Sequence, residues 1–185
     1  MITVENEIFY HIQKLDMGRL PWSIGDKFEI GKTKNLHIAY YDTYSALNKD
    51  PVEVCQEYYT FAKEYVFEEV RADKFPECPS RFNCIWLIPN TPLLQNSINY
   101  WLKMLINMDH GYAGCLILGL RCTGKAHYAN EQFFINNPWS CFNDLRLSAT
   151  KYWQGVDAAP ELVTTEVLFE GTLTVDHIFT FGEPV

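Results

Sequence analysis

The segment from Leu162 to Val175 constrains this chain more than any other, because it combines β-branched and aromatic residues with an internal carboxylate. Its composition predicts a strand with a turn or bulge at Gly171. Glu166 stands within an otherwise apolar and threonine-rich run. A buried carboxylate without a partner is unfavourable. Glu166 therefore either faces solvent, as period-2 alternation allows, or lines a cleft where it has a chemical role.

The composition predicts one folded domain that spans residues 1–185. The chain is 48% hydrophobic and 21% charged, which excludes a disordered protein. An aromatic share of 15% suffices both to fill a core and to line a pocket for a planar ligand. The net charge of −8 argues against a general nucleic-acid coat protein, because phosphate binding needs a positive field. Any nucleic-acid contact is therefore expected to be local.

The cysteines and the apolar runs predict the cellular setting. The six cysteines form no CxxC pair, and no Cys/His group has zinc-site spacing, so we expect no metal. No apolar run approaches the roughly 20 residues of a membrane span, and no signal peptide opens the sequence. We expect a reduced, soluble, cytoplasmic protein with no membrane partner.

Hydrophobic periodicity and turn residues predict an alternation of strands and helices. The clearest boundary is Asp50-Pro51, an N-cap followed by proline at the first helical position. In chain order, the predicted elements are a strand over 7–13, a long loop over 18–36, a helix from 51 to about 72, a strand over 82–88, a helix from 89–92 to about 108, a strand over 112–122, a helix from 139 to about 153, the strand over 162–175 and a short strand within 176–185.

Two further places carry candidate site residues. Ser80 and Arg81 stand at the mouth of a buried strand, where Arg81 either serves a ligand or pairs with a surface carboxylate. His11 lies in the first predicted strand, either as a packed histidine or as a site residue, and Tyr10 points to the opposite face.

Four short motifs, taken in order, resemble the ADP-ribosyltransferase superfamily. The resemblance is to the bacterial toxin branch that modifies nucleic acids, the DarT-like enzymes, and to relatives with a Pro-Ser-Arg motif. Gln13 and Thr164 depart from the family pattern. Because residue 164 is Thr, the Gln/Glu-x-Glu signature of the arginine- and asparagine-modifying members is absent. The motifs are Tyr10-His11-Ile12-Gln13, Pro79-Ser80-Arg81 with the strand that ends in Ile88-Pro89-Asn90-Thr91-Pro92-Leu93, Tyr152-Trp153-Gln154-Gly155, and Thr165-Glu166-Val167-Leu168-Phe169.

The resemblance implies an α+β fold with a split β-sheet core and flanking helices. It also implies NAD as the ADP-ribose donor, held in a slot between Glu166 on a late strand and His11 on the first. There is no GxGxxG fingerprint, so a Rossmann-type NAD site is not expected. The residues assigned by resemblance are Glu166 and Arg81 for catalysis, and His11, Tyr10, Ser80, Arg71 and Trp22 for NAD binding.

Cleavage of the nicotinamide–ribose bond develops an oxocarbenium-like cation, which a carboxylate stabilises. Glu166 is the candidate for this role, with Glu170 as the alternative four residues along. Either Arg81 or Arg71 would neutralise the pyrophosphate or orient the nucleophile. Tyr152 and Trp153 join Tyr10 and Trp22 as rings that either stack on the ligand or fill the core.

The function implied by the resemblance is that of a toxin or phage-defence effector. It would transfer ADP-ribose to nucleic acid, RNA in preference to DNA, and an antitoxin protein would restrain it. Two other functions stay open: a catalytically inactive binding module of the same fold, and an NAD-glycohydrolase that needs no macromolecular acceptor.

Overall fold

Strands and helices alternate along most of the chain. The computed structural model describes residues 1–15, 20–108, 115–135, 140–155 and 162–180. The strands in these ranges are β1 (Ile2–Lys14), β2 (Lys27–Ile30), β3 (Ile85–Pro89), β4 (Cys115–Asn130) and β5 (Thr165–Thr180). The helices are α1 (Leu36–Thr43), α2 (Pro51–Lys74), α3 (Leu94–Met108), α4 (Gln132–Ile135) and α5 (Phe142–Gln154).

The five strands form one antiparallel sheet in the order β2-β5-β3-β1-β4. The long strands β4 and β5 also pair with each other, from Leu116 opposite Thr180 to Asn130 opposite Thr165. This pairing closes β1, β4, β5 and β3 into a ring, so these strands have an inner and an outer face. The fold is therefore α+β, as the sequence predicted.

The inner face of the ring is filled by apolar side chains, and the outer face is covered by helices. Helices α2 and α5 cover one part of the outer face, and α3 covers another. The inner residues include Val4, Phe9, Leu87, Leu118, Leu120, Val167, Phe169, Leu173 and Val175. Under α2 and α5 lie Leu168 and Ala129, and under α3 lie Tyr10, Ile88 and Ile117.

The longest helix, α2, begins where the sequence predicted. A carboxylate oxygen of Asp50 accepts hydrogen bonds from the backbone N–H groups of Val52 (2.8 Å) and Glu53 (3.3 Å), and Pro51 is the first helical residue. Both features satisfy a helix terminus whose first N–H groups have no partner within the helix. The predicted strands at β1, β3, β4 and β5 and the helix at α5 are also present, with shifted ends.

The prediction of a turn or bulge at Gly171 is wrong, because β5 runs through it. Gly171 adopts φ +140° and lies directly opposite Gly124, where the two backbones approach so closely that an added Cβ would lie 2.5 Å from the Thr123 carbonyl oxygen. The glycine therefore permits close strand approach instead of ending the strand. The short strand predicted within 176–185 is the continuation of β5 to Thr180.

Other boundaries also differ. The stretch predicted as a long loop contains β2, which pairs with β5 from Lys27 opposite Thr174 to Ile30 opposite Gly171. Helix α3 begins at Leu94, beyond the two prolines. The predicted starts at residues 112 and 139 and the tail at 181–185 lie outside the described residues. Among the helices described, none has both the length and the apolar character needed to cross a bilayer.

Candidate functional site

Arg81 is the centre of a buried polar cluster beneath α2. It lies in the loop before β3, is 4% exposed, and donates from Nε to Oε2 of Glu64 (2.7 Å) and from Nη2 to Oε1 of the same carboxylate (2.9 Å). Glu64 is in the middle of α2, on the stripe that also buries Phe67. The two parallel hydrogen bonds fix the plane of the guanidinium group.

The third nitrogen of Arg81 connects this pair to α5 and β5. Nη1 donates to Oε1 of Glu166 (3.2 Å) and to the hydroxyl of Tyr152. The Tyr152 hydroxyl in turn donates to the same Glu166 oxygen (2.5 Å). Arg81 and Glu166, both assigned to catalysis by the resemblance, are therefore in contact, and Glu166 lines an interior cluster instead of facing solvent.

The cluster holds two buried carboxylates against one guanidinium, and they respond differently. Burial disfavours the charge on Glu64, but the bonds from Arg81 outweigh burial and lower the pKa of Glu64 to about 2. Burial raises the pKa of Glu166, and the charge on Glu64 adds to this, although Arg81 and Tyr152 oppose it. Glu64 thus neutralises Arg81, whereas the pKa of Glu166 is raised.

A third carboxylate, Glu131, borders the cluster and was not anticipated from the sequence. It follows the last residue of β4, is 3% exposed, and accepts a hydrogen bond from the Tyr100 hydroxyl of α3 at 2.7 Å. Its other oxygen, Oε1, has no hydrogen-bond partner among the described residues. Burial and the nearby charge on Glu166 raise the pKa of Glu131 to about 7. No residue pattern around position 131 distinguishes it from an ordinary strand-end glutamate.

His37 of α1 connects the cluster to the surface and was also not anticipated. Its Nε2 lies 3.5 Å from Oε1 of Glu64, and its side chain is 41% exposed. The imidazole meets the ring of Trp86 edge-on, with centroids 5.9 Å apart, and Trp86 Nε1 is buried with no hydrogen-bond partner in the described ranges. The Trp86 ring also lies 5.4 Å from the Arg81 guanidinium carbon.

The expected meeting of His11 with Glu166 is wrong, because the strand register places them on opposite faces of the sheet. His11 lies opposite Leu118, an inner residue, and Glu166 directly precedes Val167, which is also inner. Since side chains alternate along a strand, His11 points inward and Glu166 outward, toward α2 and α5. His11 Nδ1 lies 3.0 Å from the Trp86 carbonyl oxygen.

Trp22 contacts His11 on the inner face of the sheet, away from the face that carries Glu166. The two rings stack with centroids 5.8 Å apart, and Trp22 also stacks on Phe28 of β2 at 4.2 Å. Tyr10 lies on the outer face of β1, as Ile12 does. It lies opposite Ile88, in the cross-strand row that contains Glu166 on β5, and it packs against His177.

Ser80 and Arg71 bind a different carboxylate, that of Glu68. The Ser80 hydroxyl donates to Glu68 Oε1 at 2.8 Å, and Arg71 Nε donates to the same oxygen at 2.9 Å. Arg71 also donates to the carbonyl oxygens of Pro76 and Cys78. Arg71 and Ser80 therefore tie the loop after α2 to that helix, and only Arg81 of the two candidate arginines contacts Glu166.

The remaining candidates divide between core and surface. Trp153 is buried and donates from Nε1 to the Phe67 carbonyl oxygen at 2.7 Å, so it packs α5 on α2. Glu170 lies beyond the cluster, with Lys125 at 3.3 Å. In the described part of the chain, no group of three or more His, Cys, Asp or Glu side chains is placed to hold a metal ion.

Comparison with known proteins gives a family. No curated protein matches the chain. A family model described as a protein of unknown function (DUF2441) matches residues 39–181, a range that contains all five side chains of the buried cluster and its border: Glu64, Arg81, Glu131, Tyr152 and Glu166. Because this match covers well over half of the sequence, the chain belongs to the DUF2441 family.

Proposed function

We propose that this protein is an NAD-dependent ADP-ribosyltransferase whose reacting centre is Glu166. The observation that carries the proposal is the contact between Arg81 and Glu166 at 3.2 Å, which joins two motifs 85 residues apart in the sequence. The resemblance in sequence assigns the same two residues to catalysis. The adjacent order of β5, β3 and β1 is consistent with it, because these strands carry or follow the matched motifs.

The chemistry follows from the charges in the cluster. As the bond between the ribose and nicotinamide breaks, positive charge develops on the ribosyl carbon, and an ionised Glu166 would stabilise it. Arg81 favours the ionised form of Glu166 and fixes its orientation, while Glu64 balances the charge on Arg81. The unpartnered Trp86 Nε1 and Glu131 Oε1 are a donor and an acceptor available to a polar ligand.

In this proposal His11 and Trp22 are no longer assigned to NAD binding, because they lie on the inner face. Tyr10 remains a candidate, because it lies on the outer face, as Glu166 does. The acceptor proposed is nucleic acid, RNA in preference to DNA. The biological setting proposed is a toxin or phage-defence effector restrained by an antitoxin. A net charge of −8 requires that the acceptor be held by local contacts and not by a general positive field.

The test is to incubate the purified protein with NAD and measure nicotinamide release with RNA, with DNA, with cell protein and with no acceptor. Glu166→Gln keeps an oxygen for the Tyr152 hydroxyl but loses the charge, so turnover should fall by about 10³-fold or more. Glu170→Gln is the matched control, since it removes a carboxylate four residues along the same strand. Equal activity of Glu166→Gln and the wild type would refute the role of Glu166.

A second candidate is a binding module that has kept the fold without catalysis. It is favoured by the fact that Glu166 is 5% exposed and that its Oε1 already accepts hydrogen bonds from both Arg81 and Tyr152. In that case no nicotinamide is released under any condition, and Glu166→Gln changes only stability. Release that is independent of acceptor would instead identify an NAD-glycohydrolase.

A further inference from the structure

Glu131 and Glu166 come from neighbouring strands and share the outer face of the sheet. The last residues of β4 place Ala129 opposite Glu166, and the backbone N–H of Glu131 continues the ladder with a 3.1 Å hydrogen bond to the Thr164 carbonyl oxygen. Because side chains two residues apart on a strand point the same way, Glu131 shares the face of Ala129 and hence of Glu166. The electrostatic interaction between the two carboxylates agrees with this placement.

Among the described residues, one of the two carboxyl oxygens of Glu131 has hydrogen-bond donors and the other has none. Oε2 accepts from the Tyr100 hydroxyl at 2.7 Å and from Gln132 Nε2 at 3.2 Å, whereas Oε1 is buried and has no partner within the part of the chain that the structure describes. A buried carboxylate oxygen without a donor is unfavourable for folding. The unfavourable burial of Oε1 is explained if this oxygen must be free to accept from a ligand.

Four charged or titratable groups face Glu131, each from a different element. They are Tyr100 on α3, Glu166 on β5, Arg81 in the loop before β3, and Lys63 on α2. Glu166 opposes the charge on Glu131, and Arg81 and Tyr100 favour it. Tyr100 is itself partly exposed.

We propose that Glu131 is the general base of the transfer reaction, taking the proton of the acceptor through Oε1. This role rests on the proposed function. The ribosyl C1′–nitrogen bond breaks, its electron pair passes to the pyridinium nitrogen, and nicotinamide leaves as a neutral molecule. The acceptor oxygen or nitrogen bonds to C1′, and its proton moves to Glu131. Glu166 stabilises the ribosyl cation, and Glu131 accepts the proton of the acceptor.

The protonation behaviour of Glu131 suits this role. A base is most effective when its pKa is near the working pH, and the pKa of Glu131 is raised to about 7, chiefly by burial. Only the ionised form accepts a proton. The rate of transfer should therefore rise as the pH increases through about 7 and level off above it.

The experiment uses the full chain, radiolabelled NAD and total cellular RNA as the acceptor probe, across a pH series. In parallel, ¹³C NMR of glutamate-labelled protein follows the Glu131 carboxyl, whose signal is assigned by its loss in Glu131→Gln. We expect Glu131→Gln to reduce transfer by about 10²-fold and to abolish the rise through neutral pH. Far-UV circular dichroism verifies that this near-isosteric variant is folded.

Tyr100→Phe supplies a second, graded perturbation. It removes a hydrogen bond that favours the ionised carboxylate, so both the NMR midpoint and the midpoint of the rate profile should move up by about one pH unit. A purely structural role for Glu131 predicts lower stability but no shared shift of the two midpoints.

The outcomes separate this inference from the proposed function. Wild-type transfer with an unchanged pH profile in Glu131→Gln overturns the role of Glu131 and leaves the proposed function standing. A Glu131 carboxyl that titrates near the ordinary glutamate value also overturns it. If the wild type neither labels RNA nor releases nicotinamide, the proposed function fails and this role fails with it, whatever the NMR titration shows.

Discussion

Replacing Glu64 by glutamine removes the charge that forms the two-bond ion pair with Arg81 in the buried cluster. The folded protein lowers the pKa of Glu64 from the ordinary 4.5 to about 2. At about 1.4 kcal/mol per unit, this shift corresponds to about 3 kcal/mol of stability at neutral pH. The same magnitude, about 3–5 kcal/mol, is typical when one partner of a buried ion pair is removed. Glu64→Gln should therefore lower the free energy of unfolding by about 3 kcal/mol at pH 7.

The sign of the pH dependence is also fixed. A carboxyl whose pKa is lower in the folded state contributes stability above its unfolded pKa, and that contribution is lost as the pH falls through the folded pKa. The difference between wild type and Glu64→Gln should thus be full above about pH 5 and should be lost as the pH falls through about 2. Glu166, whose pKa is raised, has the opposite dependence, and Glu64→Gln weakens it because the charge on Glu64 is part of what raises the pKa of Glu166.

The assay is urea unfolding followed by tryptophan fluorescence at a series of pH values. Glu69→Gln is the control on the same helix, because Glu69 pairs with Arg146 at 3.2 Å with both side chains about half exposed. Such a surface pair contributes less than about 1 kcal/mol. If Glu64→Gln loses no more stability than Glu69→Gln, or if its loss does not change with pH, the reasoning about the cluster is refuted.

Two further predictions come from the strand register and backbone. His11→Ala should leave nicotinamide release at limiting NAD unchanged, because His11 lies on the inner face; a raised KM for NAD would contradict that placement. Gly171→Ala should lower the free energy of unfolding by about 3 kcal/mol, since φ +140° and the Thr123 carbonyl at 2.5 Å both exclude a Cβ. Gly25→Ala is the control in urea unfolding, because Gly25 has φ +92° but no described atom lies within 4 Å of the added Cβ. It should lower the free energy of unfolding by about 1 kcal/mol. Equal losses in the two variants would show that close approach of the strands at Gly171 does not matter.

Local signals predicted the elements best. Asp50-Pro51 fixed the start of α2 because capping depends only on adjacent residues. The prediction at Gly171 was wrong because a single sequence does not distinguish a glycine that ends a strand from one that lets another backbone approach closely. Strand β2 was missed because four residues between glycines have no period long enough to detect.

The candidate site was predictable only in part. Arg81 and Glu166 were identified through motif resemblance, and the structure places them in contact. Glu64 carried a signal that was not used: a carboxylate three residues before Phe67 on the buried stripe of α2. His11 was misplaced because the face of a strand residue depends on register with its neighbours, and a shift by one residue reverses every side chain.

Strand β1 lies outside the region matched by the family model, which begins at residue 39, yet it lies between β3 and β4 and is hydrogen-bonded to both. A clone trimmed to the matched region would leave most of one edge of β4 bare, and Phe9, Tyr10 and Ile12 would be lost from two separate cores. Uncovered strand edges recruit other chains. Expression work on this family should therefore set its N-terminal boundary by the sheet and retain residues 1–38.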